Sequence, residues 1–195
     1  MPRPKRICVP GIPLHVVQRG NNRQPCFLHR RDYVRYLEFL VDAADRYGCC
    51  VHAYALMKNH VHLLVTPGHE NGVSKMMQYL GRSYVLSFNR IHRRTGTLWE
   101  GRFRSCCITD DHYLFACYRY IEMNPVRADI VQTPDEYAWS SYRANALGVT
   151  NSIVKPSKSW IALGTDDELR RRAYRRMFDC PENATLVAEI RATTK

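Results

Sequence analysis

The chain has 195 residues, 45% of them hydrophobic and 24% charged, which supports a packed core and excludes both a stapled mini-protein and a disordered polymer. No apolar run approaches the ~20 residues of a spanning helix, and the basic start MPRPKRICVPG has no signal-length apolar stretch after it, so the sequence predicts a cytoplasmic protein with no membrane partner. The formal net charge is +11, with 23 Arg among 29 bases, a composition that points to phosphate groups.

LHVVQR at residues 14–19 reads as a first strand, stopped by Gly20-Asn21-Asn22. A helix follows over about residues 32–47, because Tyr33, Tyr36, Leu37, Leu40, Val41 and Ala44 recur at helical spacing and Gly48 sits where a C-terminal cap belongs. CCVHAYALM (49–57) and HVHLLVTP (60–67) read as two strands joined by the short polar turn Lys58-Asn59. Val73, Met76, Met77, Leu80, Tyr84, Phe88 and Ile91 mark a second helix ending before Thr95-Gly96. RFRSCCIT (102–109) predicts a fourth strand, and Asp110-Asp111 opens a third helix that runs to about Met123 and ends at Pro125. Beyond Val131 the pattern is less regular: YAWSSYRANALG (137–148) reads as an aromatic segment packing back on the core, and residues 166–178 as an Arg-rich helix.

This order predicts an α+β fold: a ferredoxin-like split βαβ core whose antiparallel sheet carries both main helices on one face. The opposite face is expected to be open apart from the additional third helix, with a C-terminal helical appendage.

The basic residues are concentrated. Residues 1–35 hold eight bases against one acid and residues 82–104 six against one, enough to account for the whole net charge. A solvated basic face would also explain such runs. Their interleaving with Gly, Asn and aromatic residues favours a nucleic-acid surface, with Arg3, Lys5, Arg6, Arg19, Asn21, Asn22, Arg23, Arg82, Arg90, Arg93, Arg94, Arg102 and Arg104 as candidate contacts. The eight cysteines include no Cys-x-x-Cys, so neither a zinc ribbon nor a thioredoxin motif is predicted, and free thiols are expected.

His60-Val61-His62 begins the most apolar strand, and residues i and i+2 of a strand share a face. Two imidazoles on one face can start a divalent-metal site, although a bare His-x-His is more often a strand end. The third helix adds Tyr113, Tyr118, Tyr120 and Asn124. Tyr120 and Asn124 are four residues apart and share a helical face, whereas Tyr118 sits among Leu114, Cys117 and Ile121 and reads as core. Asn124 could then offer an amide oxygen to a cation while Tyr120 presents its hydroxyl to a substrate. A phenol beside a metal on a basic surface suggests attack on a phosphodiester.

The blocks HVVQRGNNRQPCF, HAYALMKNHVHLLV, GRSYVLSFNRIHRRTGTLWEGRFRS, YRYIEMNPVRADIV and YAWSSYRA, in that order, resemble the REP-associated tyrosine transposases over roughly residues 3–148. These are single-tyrosine transposases within the His-hydrophobic-His nuclease superfamily. The resemblance implies a bacterial enzyme, found with the nucleoid when DNA-bound, that binds single-stranded DNA and DNA hairpins and cuts one strand with a divalent ion, Mg or Mn. It places His60 and His62 on the metal-ligating pair, Tyr120 on the nucleophile that becomes joined to a 5′ phosphate, and Asn124 where a polar side chain completes the metal shell. Residues 1–130 would form the nuclease domain, and residues 131–195 an aromatic segment and basic helical tail packed on it. Relatives that build the site from two chains leave a homodimer open. The alternatives are a domesticated sequence-specific DNA-binding protein without transposition, against which the intact histidines, tyrosine and asparagine argue, and a rolling-circle-type nuclease.

Overall fold

The computed structural model describes residues 8–193. Four strands, β1 (Leu14–Arg19), β2 (Cys49–Met57), β3 (His60–Pro67) and β4 (Arg104–Cys107), form one antiparallel sheet in the order β2-β3-β1-β4. With α1 (Arg30–Arg46) after β1 and α2 (Gly72–Ile91) after β3, this is the ferredoxin-like arrangement predicted from the sequence. The β2–β3 hairpin has the predicted bounds, since Lys58-Asn59 is the only polar break in a long apolar stretch.

One face of the sheet packs on α1 and α2. Leu14, Val16, Val51, Tyr54, Leu56, Val61, Leu63 and Val65 meet Tyr36, Leu40, Met76, Leu80, Tyr84 and Phe88 in a closed core. Each such aliphatic side chain contributes roughly 1.5–3 kcal/mol on burial. The α1 N-terminus is fixed by Asp32, whose carboxylate accepts from the backbone N–H groups of Leu28 and His29 at 2.8 and 2.9 Å and pairs with His92 at 2.9 Å.

The opposite face is not open. A register shift between Val51 and Ala53 turns Ala53 and Ala55 away from α1, and with Leu64 they meet a second core built from α3 (Asp111–Glu122), α5 (Tyr142–Leu147), α7 (Asp167–Asp179) and α8 (Ala184–Thr193). Sequence reasoning expected only the third helix there. The apolar residues of β2 and β3 run on both faces, which requires both to be covered, and the two alanines leave room for a helix to lie close.

Asp110 caps α3 by accepting from the Tyr113 N–H at 2.7 Å. α3 stops at Glu122, and Pro125 sits at the start of a separate turn, α4 (Asn124–Arg127), rather than ending α3 itself. The expected aromatic segment packs back as predicted: Trp139 and Ser141 hydrogen-bond along β2, and the Tyr137 hydroxyl donates to the Leu56 carbonyl at 2.6 Å. Lys155 also bonds to Val51. Together they cover the outer edge of β2, while α6 (Lys158–Ile161) seats Trp160 in the second core.

Buried in this second core is Glu122, fully enclosed. It accepts from the Ser141 hydroxyl at 2.5 Å, the Asn145 amide at 2.8 Å and the Tyr174 hydroxyl at 2.7 Å. One carboxylate thereby ties α3 to α5 and α7. All eight cysteines are free thiols, as expected.

Candidate active site

Alternation along β3 sends Val61 and Leu63 into the α1/α2 core and His60 and His62 to the α3 side. The two rings lie 5.0 Å apart, nearly perpendicular. His60 Nδ1 contacts Asn59 Oδ1 at 2.7 Å; a carbonyl oxygen only accepts, so Nδ1 carries the proton and Nε2 keeps its lone pair. Burial and the Arg19 charge push His60 down to about 4, and burial with the neighbouring His15 and His60 holds His62 well below the usual imidazole value. Both rings are neutral at pH 7. His62 is only 4% exposed, a consequence of the covered face.

The α3 helix brings Tyr120 onto these rings within the same chain. Its ring meets His62 edge to face at 5.6 Å, and it is 6% exposed, lining a cavity of about 340 Å³ between α3 and the α7–α8 segment. Tyr118 is core, as predicted, with its hydroxyl donating to Ser157 Oγ at 3.1 Å. Tyr113 is half-buried higher on the helix, and burial raises its phenol.

Asn124 does not continue the Tyr120 helix, because the break at Met123 intervenes. Its relation to Tyr120 is instead a hydrogen bond: the Asn124 side-chain amide donates to the Tyr120 carbonyl at 3.0 Å. The Arg127 guanidinium donates to the same carbonyl, which the helix break leaves without its regular partner. Arg127 also lies 4.3 Å from the centre of the Tyr120 ring and pairs with Glu182 at 2.5 Å.

Two residues of this cluster escaped sequence reasoning. His15 on β1 packs against His62 with ring centres 5.1 Å apart and its Nε2 2.9 Å from His62 Nδ1, and it lies 5.8 Å from Tyr120. Burial drives it down to about 3. The alternation of LHVVQR already opposes His15 to Leu14 and Val16, but only the register sets it beside His62. The other is Arg127, whose position depends on the turn after α3.

The basic segments divide. Arg19 pairs with His60 and Arg104 with Val17 in the sheet, which places both on the histidine face, and both are exposed. The Gly20–Arg23 turn joins the same end of the sheet, since Asn21 N–H donates to the Leu98 carbonyl at 2.8 Å and Asn59 donates to the Arg23 carbonyl at 3.1 Å. Asn22, Arg23 and Arg102 are exposed there, and Asn21 is half-buried. Arg82 and Arg90 lie on α2, across the sheet from the histidines, with Arg93 and Arg94 just beyond its end. Arg94 stacks on Phe88 at 5.6 Å. Arg3, Lys5 and Arg6 fall outside the described residues.

Among the described residues no three His, Cys, Asp or Glu side chains are grouped to hold a metal ion. The donors that meet on this face are two neutral imidazoles, while the Asn124 side chain is held on the Tyr120 carbonyl through its amide nitrogen. That set fits a divalent cation which keeps water or phosphate oxygens in its remaining positions.

The IS200-like transposase family model matches residues 8–124, from just before β1 to Asn124. The chain belongs to that family. No curated protein matches it. Among solved structures, a REP-associated tyrosine transposase bound to a REP hairpin is 17% identical with a TM-score of 0.62, covering 80% of this chain and 92% of that one. A putative transposase from Deinococcus radiodurans is 18% identical with a TM-score of 0.42, covering 70% and 97%. The former shares the fold described above. No helix among the described residues is long and apolar enough to cross a membrane.

Proposed function

We propose that this transposase-family chain binds single-stranded and hairpin DNA and cuts and rejoins one strand through a phosphotyrosine at Tyr120, with Mg or Mn held by His60, His62 and Asn124. The observation that carries the reading is the meeting of the Tyr120 and His62 rings, 5.6 Å apart, on the sheet face where Arg19 and Arg104 are exposed. The hairpin bound to the structural relative supports the same class of ligand here.

In this scheme the Tyr120 oxygen attacks the phosphorus of a phosphodiester. The bond from phosphorus to the 3′ oxygen breaks, that oxygen leaves as a 3′ hydroxyl after taking up a proton, and the phenol proton passes to water. The 5′ phosphate stays on Tyr120, so attack by a 3′ hydroxyl rejoins the strand without an external energy source. A bound divalent cation would polarise the phosphate and offset its developing charge. His60 and His62 supply lone pairs because burial keeps them neutral, and the Arg127 guanidinium over the Tyr120 ring adds positive charge beside the nucleophile. The exposed arginines hold the DNA backbone. Residues 1–130 carry this chemistry, and residues 131–195 buttress the Tyr120 helix through the Glu122 network.

The test is incubation with Mn²⁺ and a labelled DNA hairpin bearing single-stranded flanks, followed by a denaturing gel. The reading expects a protein–DNA adduct that disappears with EDTA, and its absence under all metal conditions would overturn it.

A further inference from the structure

We propose that His15 is a positioning residue for His62: its Nε2 takes the hydrogen bond from His62 Nδ1 and thereby leaves the His62 Nε2 lone pair free for the divalent cation. The inference rests on the assignment of His62 as a ligand and adds a residue which that assignment lacks.

The argument is one of proton counting. A neutral imidazole has one N–H and one lone pair. The 2.9 Å contact between His15 Nε2 and His62 Nδ1 holds a single proton, in one of two arrangements. With the proton on His15 Nε2, His62 Nδ1 accepts, His62 Nε2 carries the other hydrogen, and no lone pair remains for a cation. With the proton on His62 Nδ1, His62 Nε2 is a ligand. His60 shows the same device in simpler form, because Asn59 Oδ1 only accepts and fixes that ring as the Nδ1–H tautomer.

His15 has no other evident use for its polar edge. It is 1% exposed, and its Nδ1 is buried without a hydrogen-bond partner in either arrangement. A polar ring left half-satisfied in a core is costly, and an aliphatic residue would pack between Val17 and Leu64 without that cost. A cation held at His62 Nε2 would require the arrangement with the shared proton on His62 Nδ1 and the other hydrogen on His15 Nδ1, the one in which His15 Nε2 accepts. Metal-ligating histidines are generally oriented through their other nitrogen, and loss of that partner weakens binding about 10–100-fold.

The experiment measures Mn²⁺ affinity by electron paramagnetic resonance for the wild type, His15→Leu and His15→Gln. DNA-hairpin binding in EDTA serves as the control for folding. His15→Leu should bind Mn²⁺ about 10–100-fold more weakly, while His15→Gln, whose amide oxygen can accept from His62 Nδ1, should recover most of the loss. Nitrogen-15 NMR of the wild-type histidine rings needs no variant and should show the His62 proton on Nδ1 once Mg²⁺ is added. Equal Mn²⁺ affinity in wild type and His15→Leu would overturn the inference while leaving the metal site standing, whereas a His62 Nε2–H tautomer with Mg²⁺ present would remove His62 as a ligand and the inference with it. A wild type that binds no Mn²⁺ overturns the metal site and this inference with it.

Discussion

Tyr120 and His62 stand edge to face, ring centres 5.6 Å apart and planes at 85°, although they come from α3 and β3 and are separated by more than fifty residues. Nothing polar joins them directly. The contact is set by how α3 lies across Ala53, Ala55 and Leu64, so the chemistry proposed for the tyrosine depends on apolar packing of small residues beneath it. A larger residue at either alanine would lift the helix, and overpacking of this kind costs about 1–3 kcal/mol.

Replacing His60 and His62 together with Ala should remove metal-dependent cleavage of a hairpin substrate. The sheet is held by Val61, Leu63 and Val65 on its other face, so thermal unfolding should remain cooperative and hairpin binding in EDTA should persist. Gel-based cleavage and mobility-shift assays on one preparation check both halves. Full Mn²⁺-dependent cleavage by the double variant would remove the histidines from the mechanism.

DNA binding should weaken steeply with salt, because arginines on phosphates release counterions. On single strands each phosphate contact contributes about −0.7 to the slope of log K against log salt. Arg19→Gln with Arg104→Gln, two exposed cations on the histidine face, should therefore flatten the slope by about 1.4. Titrations between low and moderate salt measure it, and an unchanged slope would move the DNA path elsewhere.

Glu122 makes stability depend on pH in an unusual sense. Burial pushes its carboxyl up to about 7 against the hydrogen bonds from Ser141, Asn145 and Tyr174 that pull it down. A carboxyl with a raised folded-state value favours the protonated protein, so its contribution is fully present below about 4.5 and is lost as pH rises to about 7. The loss is on the order of 3 kcal/mol, at about 1.4 kcal/mol per tenfold change in proton affinity. Buried imidazoles such as His15 titrate in the opposite sense, so the informative quantity is the stability difference between wild type and Glu122→Gln measured across that range. The difference should shift in favour of Glu122→Gln as pH rises, and a difference constant with pH would contradict the account.

Much of the fold was legible because strand and helix periods differ and their punctuation is sharp. Gly20-Asn21-Asn22, Lys58-Asn59 and Asp110-Asp111 each mark a boundary that the structure keeps. The His60, His62 and Tyr120 cluster could be read because His-x-His fixes a strand face and Tyr118 belongs to an apolar arc that Tyr120 flanks. His15 was invisible because strand register is a tertiary property, settled by how β1 docks between β3 and β4. Arg127 was hidden by the helix break at Met123, beyond which helical angles no longer apply. The covered second face was missed because its contributors, Tyr142, Trp160, Tyr174 and Ile190, are scattered through a region of weak periodicity. Glu122 was a readable signal: an acid beside Ile121 in an apolar helix needs partners, and Ser141, Asn145 and Tyr174 supply them.

The most direct test of the central claim is to trap the covalent protein–DNA adduct and map it by mass spectrometry in wild type, Tyr120→Phe and Tyr118→Phe. Phenylalanine at residue 120 keeps the ring contact with His62 and removes only the attacking oxygen. Tyr118→Phe loses one buried hydrogen bond to Ser157, worth about 1 kcal/mol, and leaves the nucleophile in place. The account predicts a nucleotide on Tyr120 in the wild type and in Tyr118→Phe, and no adduct in a folded Tyr120→Phe protein. An adduct mapped to Tyr113 or Tyr118, or one that survives Tyr120→Phe, would contradict it.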